Sequence, residues 1–221
     1  AILEFEAFNN NLSHLSGETI KQSDMKTRKP VKTKPNLSIE EVRSELGNCT
    51  RCKLHENRKT IVFGSGNPHA DLVFVGEGPG ADEDEQGFPF VGRAGKKLTE
   101  IIEQGMKLNR EQDAYICNIV KCRPPKNRDP EPDEIAACNP FLIKQLQAIR
   151  PKAIVALGKP AASTLLGRNV PIMKERGNWY EYEGIPLMLT LHPAYLLRAY
   201  TLENRRNVMD DMNKVLEKLR E

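Results

Sequence analysis

The sequence predicts an α/β fold in which a mainly parallel central sheet is covered by helices on both faces. Short apolar runs typical of buried strands alternate with longer segments of helical period. Strands that alternate with helices are joined by right-handed crossovers, and these give a parallel sheet with helices on both sides. The chain of 221 residues is long enough for one globular domain of moderate size and a tail.

The predicted elements follow from apolar periodicity and from capping and turn residues. Strands are predicted at 72–75, 114–120 and 153–157, and as a pair at 179–182 and 186–191 around a Glu183-Gly184 turn. Helices are predicted at 38–46, 94–108, 132–150, 159–166 and 201–219. The first of these helices begins with Ser38 as its N-cap residue.

Residues 1–36 are predicted to be a basic, flexible extension, because "KQSDMKTRKPVKTKPN" at 21–36 is rich in Lys and Pro and has almost no apolar residues. The compact domain is expected at 37–221. Lys and Arg (33) exceed Asp and Glu (30) by only three, so global charge alone does not indicate a nucleic-acid binder. No run of 18 apolar residues and no secretory signal is found, so we expect a cytoplasmic protein without membrane contact.

The first strand runs directly into a glycine-rich, acidic stretch, "DLVFVGEGPGADEDEQGFPFVG", at 71–92. A phosphate cradle is disfavoured here, because Pro79 lacks an N–H donor and the carboxylates would repel an anion. A plain tight turn with a solvated acidic loop is one alternative. The other is a ligand site, in which the glycines let the backbone approach a flat ligand and the acids stabilise positive charge or orient a water.

Several candidate binding residues lie near the carboxyl ends of the predicted strands, where an α/β sheet binds its ligands, and one of them, Asn118, falls inside an otherwise apolar strand. Phe90 and Phe88 are either lids on the core or a stacking platform. Asn118 either makes a structural hydrogen bond or pairs with the edge of a base. His192, in "LHPAYLLR", is either a satisfied histidine or a catalytic one.

Four of the five cysteines are candidate metal ligands. Cys49 and Cys52 form a Cys-x-x-Cys pair, and Cys122 and Cys138 follow later in the chain. Tetrahedral thiolate ligation fits either zinc or an iron-sulfur cluster, and unrelated buried cysteines remain an alternative. Cys117 is interpreted as a small core residue.

Basic residues crowd around these cysteines. Such charges usually form a solvated face, but their position also suits a track for a phosphate backbone. The residues are Arg51, Lys53, Arg58, Lys59, Lys121, Arg123, Lys126 and Arg128.

Together these motifs resemble the family 4 uracil-DNA glycosylases. The resemblance runs from about Ser38 to about Leu219 and rests on "CTRCKLHENR", "GEGPGADEDEQGFPFVGRAG", "NIVKCRPPKNRDPEPDE", "LGKPAA" and "LHPAYLLR". It implies a three-layer α/β/α domain and a 4Fe-4S cluster of structural role. By the same resemblance, the cluster ligands are Cys49, Cys52, Cys122 and Cys138.

The resemblance also implies roles for residues of the uracil pocket and of a DNA-binding loop. The uracil-binding residues would be Glu77, Gly78, Phe90, Asn118 and His192, with His192 donating to uracil O2. The loop pressing into the duplex would be 193–198, with Pro193, Tyr195, Leu196, Leu197 and Arg198 as its candidate residues.

The water-activating carboxylate is left open by the resemblance. Gly78 stands where family 1 enzymes have an Asp, so Glu77 and Glu83 are the candidates that join His192 as catalytic residues.

The implied activity is base excision repair of DNA. A monomer would flip uracil out of double- or single-stranded DNA, hydrolyse its N-glycosidic bond and leave an abasic site, in the cytoplasm of a prokaryote and near its nucleoid. Two alternatives remain: a superfamily member that binds or crosslinks to uracil-DNA without turnover, and a noncatalytic nucleic-acid module with a zinc-stabilised fold. A sliding clamp or other repair partner is not specified by the sequence.

Overall fold

A six-stranded sheet organises residues 37–221, the part of the chain that the computed structural model describes; the predicted extension at 1–36 lies outside the described residues. The strand order is β1-β3-β2-β4-β6-β5. Strands β3, β2, β4 and β6 are mutually parallel, and the edge strands β1 and β5 are antiparallel to their neighbours. The strands are Ser65–Gly66 (β1), Leu72–Gly76 (β2), Ala114–Asn118 (β3), Ala153–Leu157 (β4), Trp179–Tyr182 (β5) and Ile185–Thr190 (β6).

The central strands are apolar along their whole length because both of their faces are covered. Every residue of β2, β3 and β4 is buried. Strand β3 was predicted to reach residue 120, but it ends at Asn118. The backbone N–H groups of Ile119 and Val120 nevertheless donate to the carbonyls of Gly76 and Glu77, at 2.9 and 3.1 Å. The chain after β3 therefore stays attached to the loop after β2.

The α-helices agree with the predicted pattern except at four places, one of which is the short helix Ile172–Glu175, where no helix was predicted. The predicted helix at 94–108 is an α-helix followed by a π-helical turn at Ile101–Gly105. The acidic stretch and the segment after His192 were predicted as loops and are short helices, α2 and α7. The α-helices are Ile39–Leu46 (α1), Ala81–Gln86 (α2), Arg93–Glu100 (α3), Pro132–Ile149 (α4), Gly158–Leu166 (α5), Ile172–Glu175 (α6), Pro193–Arg198 (α7) and Leu202–Leu219 (α8); 3-10 turns lie at Lys53–Glu56 and Pro125–Asn127.

Two apolar cores lie on opposite faces of the sheet. Helices α1, α4 and α5 pack on one face, against strand residues such as Val73 and Val75. Helices α3, α7 and α8 pack on the other, against Leu72 and Phe74. The three-layer α/β/α architecture is therefore confirmed. Among the described residues no helix is both long and apolar enough to span a bilayer.

A buried ion pair ties α8 to the end of β6. Asp211 is fully buried, and its carboxylate pairs with the guanidinium of Arg176. The Thr190 hydroxyl donates to the same carboxylate at 2.7 Å. Because Thr190 ends β6 two residues before His192, this pair holds the strand that leads into the candidate site.

We expect Asp211→Ala to destabilise the fold by about 3–5 kcal/mol, because it leaves the Arg176 guanidinium buried without its partner. Its neighbour Asp210 is exposed, so Asp210→Ala is the matched control and should change the free energy of unfolding by less than about 0.5 kcal/mol. Urea unfolding followed by circular dichroism measures both. Equal stability of the two variants would contradict a structural role for the pair.

Candidate functional site

A cavity of about 540 Å³ opens at the carboxyl ends of the parallel strands. This is the edge at which the sequence predicted a ligand site. Residues from four separate segments line it, and they include most of the predicted site residues. The predicted residues in its lining are Glu77, Gly78, Glu83, Phe90, Asn118, His192 and Arg198.

The floor of the cavity depends on close packing at the end of β2. Gly76 and Asn118 are paired across β2 and β3. A Cβ atom on Gly76 would lie 2.4 Å from the Asn118 Oδ1 atom and 2.6 Å from the Phe90 ring. Only glycine therefore lets the amide and the ring meet above this strand end.

Phe90 is held in an unfavourable backbone conformation by an arginine that the sequence did not identify. Its φ angle is 53°, in the left-handed region that non-glycine residues rarely adopt. The Arg110 guanidinium donates to the carbonyls of Pro89 and Phe90 at 2.9 and 3.0 Å and to the Thr99 hydroxyl at 2.7 Å. Nothing in the sequence near Arg110 indicates this contact, which connects residues 20 positions apart.

Asn118 presents an unpaired amide oxygen to the cavity. The residue is 1% exposed, and its Oδ1 atom has no hydrogen-bond partner among the described residues. Among the described residues, the Oδ1 atom therefore does not make the structural hydrogen bond that was one of the two alternatives for Asn118. A buried acceptor without a partner costs about 1–3 kcal/mol, so the site is suited to a ligand that donates a hydrogen bond.

His192 is held as a neutral donor. Its Nδ1 atom accepts a hydrogen bond from the backbone N–H of Ala194 at 3.0 Å, so the ring proton lies on Nε2. Burial lowers the pKa of His192 to about 4, with Arg198 adding to the shift. The ring centroid lies 5.9 Å from that of Phe90. The cavity therefore contains an aromatic ring, an unpaired acceptor and a neutral imidazole N–H.

Gly158 makes room for the histidine. Its φ angle is 86°, and a Cβ atom there would lie 2.7 Å from the Cβ atom of His192. The first residue of α5, in the predicted "LGKP" segment, thus positions the backbone behind the imidazole.

Glu77 and Glu83 both line the cavity but differ in their bonding. The Glu83 Oε1 atom accepts from the N–H groups of Val91 and Gly92 at 2.9 Å, and its Oε2 atom accepts from Gly80 N–H at 3.1 Å. The Glu83 carboxylate therefore links two turns of the cavity wall, one at Gly80 and the other at Val91 and Gly92. The Glu77 Oε1 atom, in contrast, is buried without a partner among the described residues. Burial raises the pKa of Glu77 to about 7, and the nearby Asp129 adds to the rise.

The other acids of the stretch do not face the cavity, which corrects the expectation of a shared acidic loop. Asp84 is buried and accepts from the N–H groups of Lys59 and Thr60. Glu85 is exposed and pairs with Lys59. These two carboxylates anchor α2 to the segment at Lys59 and Thr60.

The segment predicted to press into DNA is the helix α7 and not a loop. Leu196 is 2% exposed and belongs to the apolar core, so its side chain does not present a surface for insertion. Pro193 is also buried, at the first turn of the helix. Tyr195 and Leu197 are half-buried, and Arg198 is exposed at the cavity mouth.

The four candidate metal ligands gather on one side of the sheet. Cys122 and Cys138 are buried in the first apolar core, and Cys49 and Cys52 pack against it. Burial raises the pKa of the Cys52, Cys122 and Cys138 thiols, and neighbouring cysteines of the same set raise it further. Cys117 is fully buried in β3, as predicted for a core residue.

Three N–H groups approach these sulfurs. The Arg51 and Arg58 guanidinium groups lie 3.3 and 3.2 Å from the Cys49 and Cys122 Sγ atoms. The backbone N–H of Lys121 lies 3.3 Å from Cys138 Sγ. Such donors stabilise thiolates that bind a metal. Within residues 37–221, no group of three or more side chains converges on the position of a single metal ion.

Most residues of the predicted basic track make hydrogen bonds or ion pairs with other groups of the protein, although several of them are exposed. Lys121 is 1% exposed, and its ammonium donates to the Asn118 carbonyl at 2.5 Å, so its assignment to a DNA-binding face is wrong. Arg128 makes a two-point ion pair with the buried Glu134, at 2.8 and 2.6 Å. Lys53 pairs with Glu131. Lys126 remains exposed.

Comparison with known proteins places the chain in a family. The family model of the uracil DNA glycosylase superfamily matches residues 63–220. A type-4 uracil-DNA glycosylase of Thermotoga maritima is 50% identical over 179 residues, which cover 80% of this chain and 92% of that protein. Proteins of the same name from Sulfurisphaera tokodaii and Archaeoglobus fulgidus are 44% and 42% identical, and the matches cover 81% and 80% of this chain and 84% and 92% of theirs. The chain therefore belongs to the uracil-DNA glycosylase superfamily and, within it, to the type-4 branch.

Proposed function

We propose that the cavity between Phe90, Asn118 and His192 is the uracil pocket of a DNA-repair glycosylase. The protein is a uracil-DNA glycosylase, an N-glycosidic hydrolase, in keeping with its type-4 relatives. The observation that carries the pocket assignment is the unpaired Asn118 Oδ1 atom, buried beside a stacking ring and a neutral imidazole.

Uracil matches the polar groups of this cavity. The Asn118 amide can accept from uracil N3–H and donate to O4, while His192 Nε2–H donates to O2. Phe90 would stack on the ring. Cytosine presents an acceptor and an amino group where uracil presents N3–H and O4, so it would leave the Asn118 amide mismatched. The wall near Glu77 would exclude the methyl group of thymine.

The uracil must leave the base stack before it can enter the cavity, at a cost of a few kcal/mol. Leu197 and Tyr195 on α7 are the side chains proposed to replace it, because Leu196 is committed to the core. Arg198 lies at the cavity mouth, where it can contact a phosphate. The cost of flipping is smallest for a single strand or a mismatch, so both forms of DNA are proposed substrates.

The reaction separates charge between sugar and base. As the C1′–N1 bond breaks, its electron pair goes to uracil N1, and positive charge develops on the sugar. The donors on His192 and Asn118 stabilise the anion. A water then bonds to C1′ and gives its proton to the Glu77 carboxylate, which has an unpaired buried oxygen to receive it. Glu83 holds the turns around this water through its three backbone bonds.

The four cysteines fit a 4Fe-4S cluster. Cys122 and Cys138 belong to one apolar core, and Cys49 and Cys52 pack against it. N–H donors face three of the four sulfurs, and four thiols match the ligand number of such a cluster. The cluster would link the Cys49 turn, the end of β3 and α4, which are otherwise distant in sequence. Its role would be structural, because it would crosslink these segments.

We propose a monomer as the active form, because all of the predicted uracil-binding residues line one cavity of a single chain. Because the substrate is chromosomal DNA, we place the protein in the cytoplasm beside the nucleoid of its cell.

Asn118→Ala should lower kcat for uracil release about 10²–10³-fold, because it removes a group that binds the departing anion. His192→Ala should cause a loss of similar size. Asn213 is exposed on α8, and Asn213→Ala is the control, with activity unchanged. Release of free uracil from a labelled oligonucleotide is the measurement. Full activity in either pocket variant would contradict that residue's role, and a stable protein-DNA adduct without free uracil would favour the crosslinking alternative.

The rate should depend on the protonation of Glu77. Since the pKa of Glu77 is raised to about 7, the carboxylate form accumulates above pH 7, and kcat should rise between pH 5 and pH 8. The pKa of His192 is about 4, so its ionisation should not contribute in that range. In Glu77→Gln the rise should disappear and kcat should fall about 10²–10⁴-fold. Glu83→Gln and the exposed control Glu85→Gln should keep the rise; a rise that persists in Glu77→Gln would exclude Glu77 as the base.

Replacement of any one of the four cysteines by alanine should reduce the iron bound per chain and the brown visible absorbance. Cys117→Ala is the matched control, because it removes a buried cysteine outside the set and should retain the iron. Iron and acid-labile sulfide assays with visible spectroscopy measure this outcome. A colourless protein with stoichiometric zinc would contradict the cluster and favour a zinc-stabilised fold.

A further inference from the structure

An exposed aromatic side chain stands at the corner between α7 and α8. Tyr200 is 57% exposed, and Leu202, two residues later, is 53% exposed. Large apolar groups at the surface are costly unless a partner covers them, so this corner is a candidate contact surface.

The corner is rigidly built. The buried Asn204 donates its side-chain amide to the Ala199 carbonyl at 2.9 Å, and its backbone N–H is capped by the Thr201 hydroxyl at 3.1 Å. The Thr201 N–H also donates to the Ala199 carbonyl at 2.9 Å. Tyr200 is therefore presented by a fixed turn, which reduces the entropy lost on binding.

Two cations flank the ring. The Arg205 guanidinium lies 4.7 Å from the Tyr200 ring centroid, and the Lys97 ammonium lies 5.1 Å from it. Aromatic rings and arginine planes are the groups on which proteins stack unpaired bases, and adjacent cations attract the phosphates. The Lys97 side chain is only 13% exposed and pairs with Glu100, so the exposed Arg205 is the cation of this surface that suits a nucleic-acid strand.

The surface lies beside the mouth of the uracil cavity. Ala94 of α3 and Ala194 and Arg198 of α7 line the cavity. Lys97 lies one helical turn after Ala94 on α3, and Tyr200 follows Arg198 by two residues. A strand whose uracil occupies the cavity thus has its next nucleotides within reach of Tyr200.

We infer that Tyr200 and Arg205 form a platform on which a base flanking the flipped uracil stacks, while Arg205 contacts the adjacent phosphate. This inference rests on the proposed function, since the strand is that of the uracil substrate. The platform contributes to substrate binding and takes no part in bond cleavage.

Uracil release from single-stranded oligonucleotides tests the platform. Tyr200→Ala should raise KM about 5- to 150-fold with kcat unchanged, and Tyr200→Phe should behave as wild type. Met173→Ala, which removes another exposed apolar side chain, is the control and should leave KM unchanged. An unchanged KM in Tyr200→Ala, or a loss confined to kcat, would overturn the inference.

Baseless spacers in the substrate identify the stacked base. A baseless spacer replaces each flanking base in turn. At one position the spacer should raise the KM of the wild-type protein as much as Tyr200→Ala raises the KM for the intact substrate. With the spacer at that position, Tyr200→Ala should cause no further rise in KM. Effects that multiply at every position would overturn the inference. Wild-type protein that releases no uracil from any substrate would instead contradict the proposed function, so the two failures are distinguishable.

The salt dependence of KM tests the phosphate contacts. Arg205→Met should reduce the slope of log KM against log salt by about 0.7, the value for one phosphate contact on a single strand. Arg206, the exposed next residue of α8, supplies the control Arg206→Met, in which the slope should stay as in the wild type. An unchanged slope in Arg205→Met would show that Arg205 does not contact a phosphate of the substrate, which would overturn that part of the inference.

Discussion

The parallel pairing of β2 with β3 is the constraint on which the rest of the site depends. It places Gly76 opposite Asn118, and the pairing continues into the loops through the bonds from Ile119 and Val120 to Gly76 and Glu77. A shift of one residue would turn the Asn118 side chain to the other face of the sheet. The Asn118 amide and the loop that carries Glu77 are therefore set in one register by backbone hydrogen bonds.

Burial then gives the polar groups their chemical states. Low polarity around His192 keeps the imidazole neutral, and the bond from Ala194 N–H selects the tautomer with its proton on Nε2. The same burial leaves oxygens of Glu77 and Asn118 without partners among the described residues. These unpaired groups cost stability in the free protein, and a ligand with matching groups recovers that cost on binding.

The sequence predicted the layers, the sheet and the location of the site, because these follow from apolar periodicity and from the strand-end rule. It did not predict the hydrogen bonds and ion pairs of the side chains inside the site. Glu83 and Asp84 look equivalent in an acidic run, yet backbone N–H groups from other segments satisfy both carboxylates. Leu196 looked like an exposed wedge, but the helical period of α7 turns it into the core. For the same reason Lys121 was assigned to the wrong surface and Arg110 was missed, since tertiary packing determines their partners.

The path from Asn118 to Cys122 joins the two sites of the protein. Within these five residues, Asn118 faces the cavity, the ammonium of Lys121 holds the Asn118 carbonyl, and Cys122 belongs to the cysteine set. The Lys121 backbone N–H also contacts the sulfur of Cys138. Because one short segment carries both sets of contacts, a cluster that crosslinks the cysteines would also restrain the backbone of the base-reading residue. A structural cofactor far from the reacting atoms can in this way be required for an accurate pocket.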